Sequence, residues 1–479
     1  MASPVSDVAF TWSQRTLGTV ALGDPRRTAR AVEIGAALAR NPQASIPRQA
    51  GCPHQAKAAY RFFDMPQVTT ESLCLPHWRQ TREKASAAGT ALLIQDTTSM
   101  AFSGRGEEEG MGPISTFGQE QGLHLHSVLA VVPGEEPEEA EVLGLAHQTI
   151  YARIPAPEGE TQAERQRRRC ESDRWPEAME EVGGPASGAR LVHVADREAD
   201  CFDVFAAAAR LGVDVLIRAA GSAAMRGASL GHAVEAVDRE PFAPMVRRLP
   251  PQGEARRLRV RAAQTRPARV ASLRVAFAPV TLHAPNVAPA GTAPQALHVV
   301  RVHEPDPPAG TEPKDVVEWI LLTSCAVEDE AAAWRMAMWY RHRWLVEEYH
   351  KCLKSGCSVE KRQLETAERL EPLVAMLCLV ACMLLQGKFL ARRKDSPPAL
   401  EAAPREHVEL LALHRGKDAK AWSCRDFWRE VAKLGGFMGR RGDGDPGWLT
   451  TWRGWLELDM MVAGARLVRD RRAPPRTCG

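Results

Sequence analysis

The run ARLVHVAD, residues Ala189–Asp196, is aliphatic almost throughout and ends in an acid. A short apolar run of this kind reads as a strand covered on both faces of a sheet. Before it stands TQAERQRRRCESDRWPEAMEEV (Thr161–Val182) and after it EADCFDVFAAAARLG (Glu198–Gly212), both helical in pattern. Working outward, four more runs have strand character: ALLIQD (Ala91–Asp96), HLHSVLAVV (His124–Val132), EVLGLAHQTIYA (Glu141–Ala152) and DVLIRAA (Asp214–Ala220). Three strands, a helix, a strand, a helix and a strand predict an α/β core. ALLIQD and ARLVHVAD both end in aspartate, and open α/β sheets place their ligands at the carboxyl ends of strands.

At 479 residues the chain has room for two or three domains. A formal net charge of +3 excludes nothing by itself. The 11 cysteines form neither a C-x-x-C pair nor a His/Cys cluster at zinc spacing, which argues against structural zinc and fits reduced thiols in a cytoplasm. MASPVSDVAFTWSQR lacks the charged start and apolar stretch of a secretory leader. LVAMLCLVACMLL (Leu373–Leu385) is too short to span a bilayer and reads as a buried helix, so no membrane partner is expected.

Residues 1–85 read as helical and basic. LGDPRRTARAVEIGAALAR places Asp24 as an N-cap and Pro25 in the first turn, with Arg26, Arg27, Arg30 and Arg40 along the helix. From about 221 to 319 the α/β pattern is interrupted. Between Arg247 and Arg274, arginines 247, 248, 256, 257, 259, 261, 266, 269 and 274 stand against the single acid Glu254. Arg257, Arg259 and Arg261 alternate with apolar residues, so a strand would project all three from one face. A polyanion-contacting β-ribbon is favoured over a merely solvated insertion. ILLTS then reads as a last short strand, followed by a long helix from about 328 to 355, further helices to about 395 and a C-terminal section. The tail RDRRAPPRTCG is basic and reads as irregular.

In WYRHRWLVEEYHKCLKSG (Trp339–Gly356), at ~100° per residue, Tyr340, Arg343, Glu347, Lys351 and Lys354 share a stripe ~80° wide. Met338, Leu345, Val346, Tyr349, Cys352 and Leu353 lie opposite as a core face. Glu347 is central in the stripe and Glu348 marginal. A solvated stripe with a Glu347–Lys351 pair would account for this segment alone. Asp96 and Asp196 change that balance, because three carboxylates without His or Cys suit a hard cation such as Mg²⁺ or Mn²⁺.

Tyr340-x2-Arg343-x3-Glu347-x6-Lys354 resembles the Y-R-E-K signature of the IS-four group of DDE transposases. The resemblance extends through ALGDPRRTAR, AAYRFF, QDTTS, VADREAD, WILLTS and LGGFM, nearly end to end. It implies an N-terminal helical domain for transposon-end DNA (1–85). A ribonuclease-H-like catalytic core with a β-rich insertion would follow (86–395, insertion about 221–319), then a helical dimerisation domain (396–479). It further implies Asp96, Asp196 and Glu347 as catalytic metal ligands for Mg²⁺, with Mn²⁺ able to substitute. Tyr340, Arg343, Lys351 and Lys354 would grip the DNA backbone, and Arg26, Arg27, Arg30 and Arg40 would contact the end. Trp319, which would otherwise read as core, would hold a flipped-out base. Phe202 stands where a relative has histidine. The implied activity is cut-and-paste transposition through a hairpin, on transposon-end and target DNA, by a homodimer in the cytoplasm. Rival readings are an inactive end-binding repressor and a nuclease without strand transfer.

Overall fold

The computed structural model describes residues 8–102, 109–115, 120–157, 159–161, 164, 170–186, 188–219, 234–235, 242–260, 268–284, 291–364, 366–390, 392, 396–440 and 442–472. Five helices lead: α1 (Val8–Leu17), α2 (Pro25–Arg40), α3 (Ile46–Ala50), α4 (Pro53–Phe63) and α5 (Thr70–Ala87). Asp24 caps α2, accepting from the Arg26 amide at 2.8 Å with Pro25 in the first turn, as the sequence predicts. These helices are not a detached unit. Leu17, Leu38 and Phe62 belong to one continuous apolar cluster with Leu92, Ile94 and Leu377.

The strands are β1 (Thr90–Ala101), β2 (Gly112–Pro113), β3 (Gln121–Val132), β4 (Glu141–Tyr151), β5 (Arg190–Ala195) and β6 (Asp214–Arg218). After them come β7 (Val234–Glu235), β8 (Gln252–Val260), β9 (Arg269–Leu282), β10 (Gln295–His303) and β11 (Glu318–Thr323). β1, β3 and β4 form an antiparallel meander, and β5 and β6 join β1 in parallel. That is the ribonuclease-H-like order expected from the sequence. The expected helix 161–182 is described mainly as α6 (Arg174–Val182), since most of 162–169 lies outside the described residues. Helix α7 (Phe202–Leu211) connects β5 to β6, and its Phe202 is buried beside α6.

The insertion is no free-standing ribbon. β11 pairs with β6, β10 with β11, and β9 with β10, so the core sheet continues through the insertion, to eleven strands among the described residues. The insertion also contains a short helix, α8 (Phe242–Arg248), which its prolines and arginines do not announce.

The predicted helix 328–355 is divided. α9 (Glu330–Arg341) and α10 (Trp344–Lys351) are separated by a tightened turn in which the amides of His342 and Arg343 reach back three residues to Trp339 and Tyr340. The chain then widens into a π turn, Cys352–Gly356. Helix α11 (Ala367–Leu390) contains a 23-residue stretch apolar enough to cross a membrane, longer than the run picked from the sequence. In this fold 72% of its most apolar window is buried inside the protein, as a core helix would be.

Helices α12 (Ala399–Ala402), α13 (Arg405–His414), α14 (Cys424–Leu434) and α15 (Trp448–Arg472) complete the chain around a separate apolar cluster. The start of the basic tail is helical rather than irregular: α15 runs to Arg472, and Arg469 reaches Glu406 at 3.4 Å. Residues 473–479 lie outside the described residues.

Candidate active site and nucleic-acid face

Side-chain alternation sorts the sheet into two faces. On β1, Leu92 and Ile94 point into the cluster containing α10 and α11, whereas Ala91 and Leu93 point toward α6 and α7. Asp96 continues the first series. β1 and β5 are parallel, with Ile94 opposite Val194. Carrying that register two residues further sets Asp96 and Asp196 on adjacent strands and on one face, ~5 Å from strand to strand. α10 packs over that face and brings Glu347.

The electrostatics agree with this placement. Burial first, and then the negative charges of Asp196 and Glu347, push the Asp96 carboxyl up to about 7 against the pull of Arg343 and of the Thr97 amide. Arg343 stands 3.6 Å from Asp96 and also hydrogen-bonds Glu347. Burial opposes the charge of Arg343, yet Tyr340, Glu347, Asp96 and Asp196 together hold its pKa above the ordinary value. Glu347 therefore pairs with Arg343, which also reaches Asp96, rather than making the Glu347–Lys351 pair of the solvated-stripe alternative. Glu348 bonds Lys388 instead, which makes it a structural residue.

His350, a residue missed from the sequence, is buried with its Nδ1 4.0 Å from Asp96 and its Nε2 3.3 Å from the Ser127 hydroxyl. Burial, then Lys354 and Arg343, lowers its pKa to about 3, so it is neutral. Asp196 accepts from the Glu198 amide at 2.9 Å, opening a short turn after β5.

Tyr340 is buried, and its ring lies 5.8 Å from that of half-buried Trp319. Arg218, at the carboxyl end of β6, hydrogen-bonds Tyr340 and donates to the Glu318 carbonyl at 3.3 Å. It was also missed, although its place at a strand end is the signal that singled out the aspartates. Lys354 lies 3.6 Å from Glu360, which accepts from the amide of Ala101 at the end of β1. Lys351 is exposed. Asp96, Asp196, Glu347, Tyr340 and Arg343 thus meet, with Trp319 beside Tyr340.

The N-terminal arginines lie elsewhere, on or near α2. Arg26 is 91% exposed and paired to Asp24. Arg30 contacts Glu33 and Gln55, and Arg40 is exposed at the helix end. Arg27 donates to the Leu22 carbonyl at 2.9 Å and so braces its own loop.

Among the described residues, no three Asp, Glu, His or Cys side chains are already gathered tightly enough to hold a metal, and Arg343 lies between Asp96 and Glu347. The donor set nonetheless fits a hard divalent cation. It is all carboxylate, and the half-buried Asp96, raised to about 7 first by burial and then by Asp196 and Glu347, is short of positive charge.

Three family models match the chain in order: Transposase DNA-binding over residues 9–68, Transposase DDE domain over 185–383 and Transposase Tn5 dimerisation domain over 409–473. The DDE match includes Asp196 and Glu347 and begins beyond Asp96. Among solved structures, the "Cryo-EM structure of piggyBac transposase synaptic complex with hairpin DNA (SNHP)" is similar over 99% of this chain and 81% of that one. Its identity is 10% and its TM-score 0.38, too low to argue from. A ribonuclease-H-like sheet carrying a DDE domain between DNA-binding and dimerisation segments defines a DNA transposase, an enzyme that cuts and rejoins phosphodiesters with a divalent metal. The chain belongs to the DDE transposases of the Tn5 type.

Proposed function

We propose that Asp96, Asp196 and Glu347 are the catalytic carboxylates of a cut-and-paste transposase that uses Mg²⁺, with Mn²⁺ able to substitute. The observation that carries this reading is the raised carboxyl of Asp96, half-buried and facing both other acids. A divalent cation bound there supplies charge that stabilises the attacking and leaving oxygens of an in-line displacement at phosphorus. Arg343 swings from the carboxylates to a DNA phosphate, while Tyr340 and Arg218 hold the same backbone. Lys351 and Lys354 extend that grip along the strand.

Hydrolysis frees a 3′-hydroxyl at the transposon end. That hydroxyl attacks the opposite strand: one new P–O bond forms as the old one breaks, leaving a hairpin. Water opens the hairpin, and the freed end attacks target DNA. Trp319, half-buried beside Tyr340, stacks a base extruded from the strained hairpin, offsetting an unstacking cost of a few kcal/mol. The working division is end binding in 1–85 through Arg26, Arg27, Arg30 and Arg40, chemistry in 86–395 and self-pairing in 396–479, in the cytoplasm on DNA. For self-pairing the surface is the exposed stripe Met460, Ala463, Gly464, Leu467 and Val468 of α15, one helix face at i, i+3, i+4, i+7 and i+8.

The test is incubation with duplex carrying the element's terminal repeats and Mg²⁺, scoring nicks, hairpins and joined products. Nicks followed by hairpins and joints are expected. Nicks without joined products would leave only a nuclease. Trp319→Ala should reduce hairpin formation ~10-fold or more while sparing the first nick; equal loss at both steps would remove its base-holding role.

A further inference from the structure

The π turn Cys352–Gly356 follows the catalytic helix directly and carries Lys354. Its closing bond runs from the Cys357 amide to the Cys352 carbonyl, five residues back. Two residues on, Ser358 has φ 48°, the one left-handed non-glycine among the described residues. A widened turn and a left-handed residue each cost energy, and they persist where the surroundings dictate them. Here the surroundings come from three parts of the chain.

From the N-terminal helices, the loop between α2 and α3 reaches the turn. Gln43 donates to the Ser355 carbonyl at 2.9 Å. Arg362, 8% exposed, donates to the carbonyls of Pro42 and Ala44 in that same loop, and to the Cys357 carbonyl at 2.9 Å. One buried guanidinium therefore holds the α2–α3 loop and the exit of the π turn together. From the C-terminal helices, the Trp448 ring at the start of α15 lies against Gly356, where a Cβ would come within 2.9 Å of it. From the core sheet, Glu360 joins Lys354 to the last amide of β1.

We propose that this turn is a positioning junction: the seating of the α2–α3 loop and of Trp448 against it sets where Lys354 and the end of the catalytic helix stand at the scissile phosphate. The proposal rests on the transposase reading above. It makes strand cleavage depend on how the end-binding and self-pairing helices are docked, through contacts far from the carboxylates. Arg362, Gln43, Gly356 and Trp448 act through Lys354 and touch no DNA.

The experiment uses the full chain, an end-repeat duplex and Mg²⁺. It measures duplex affinity and, separately, the single-turnover nicking rate at saturating protein, for Gln43→Ala and Gly356→Ala. Both variants should bind the duplex within about twofold of the parent and nick it ~10-fold or more slowly, since sub-ångström misplacement at a reacting centre is costly. Trp448→Leu, which makes room for the added methyl, should restore most of the nicking rate to Gly356→Ala. Parent nicking rates in both single variants, whatever their melting temperatures, would overturn the proposal. So would equal losses of affinity and rate, or failure of the Trp448→Leu rescue. If the parent protein itself does not nick, the transposase reading fails; if the parent nicks and only the junction variants behave as parent, the junction alone fails.

Discussion

The inserted extension of the sheet and the catalytic face use arginine in opposite ways. In the extension most of the arginines that are described have internal work. Arg269 binds both oxygens of Glu304, Arg247 and Arg301 share Glu318, Arg274 donates to the Gly253 carbonyl, and Arg256 lies 4.9 Å over the Trp334 ring. Arg257 and Arg259 remain exposed on one face of β8, while Arg261 and Arg266 lie outside the described residues. On the catalytic face the ratio inverts, with Arg343 set against Asp96, Asp196 and Glu347. Matched charge holds structure together, whereas a clustered surplus of one sign marks a place prepared for an ion of the other. Among the described residues of β8, the polyanion reading consequently rests on Arg257 and Arg259.

Substitutions should separate the two regions. The largest effect is expected at the carboxylates: Asp96→Asn, Asp196→Asn or Glu347→Gln should lower strand cleavage ~10³-fold or more, with end binding kept. Substantial cleavage by any of the three in a gel assay would break the contrast.

Next comes Glu304→Gln, which leaves Arg269 facing a buried neutral partner. It should cost about 3 kcal/mol in denaturant unfolding without changing the nicking rate of the folded, DNA-bound fraction. A smaller effect is due from Arg257→Ala with Arg259→Ala: weaker DNA binding and a salt slope shallower by about 1 per charge removed. An unchanged slope would return both arginines to mere solvation.

The smallest effect tests the charge surplus itself. Asp96 is bound by protons more tightly in the folded chain, at about 7 against 3.8, so without divalent cation stability falls as pH rises from about 4 through 7. The groups that face it are Arg343 from the turn before α10, Glu347 and His350 from α10, and Asp196 just after β5. Asp96→Asn should therefore raise the melting temperature in EDTA by about 2 °C at pH 8 and leave it unchanged at pH 5. Saturating Mn²⁺ should erase the parent's deficit at pH 8. A variant that melts lower than the parent at pH 8 in EDTA would deny the surplus.

The core strands were legible in the sequence because each carries a largely apolar run, and Asp96 and Asp196 stand out at the ends of two of those runs, although β1 itself continues past Asp96 to Ala101. Sequence also favoured Glu347 over Glu348, and Lys388 supplies the reason that Glu348 is excluded. Other features depended on distant partners. No proline or glycine warns of the break at His342–Arg343, and the β6–β11 pairing that merges the insertion with the core joins residues about a hundred apart. Arg343 looked like one cation in a stripe because its position between two acids exists only once β1 meets α10.

The most direct test is to locate Mn²⁺ by anomalous scattering in crystals of the protein with end DNA. Peaks about 2.2 Å from oxygens of Asp96, Asp196 and Glu347, with Arg343 turned away to a phosphate, are the expected result. Manganese bound elsewhere, with Arg343 still joining Asp96 to Glu347, would contradict the account.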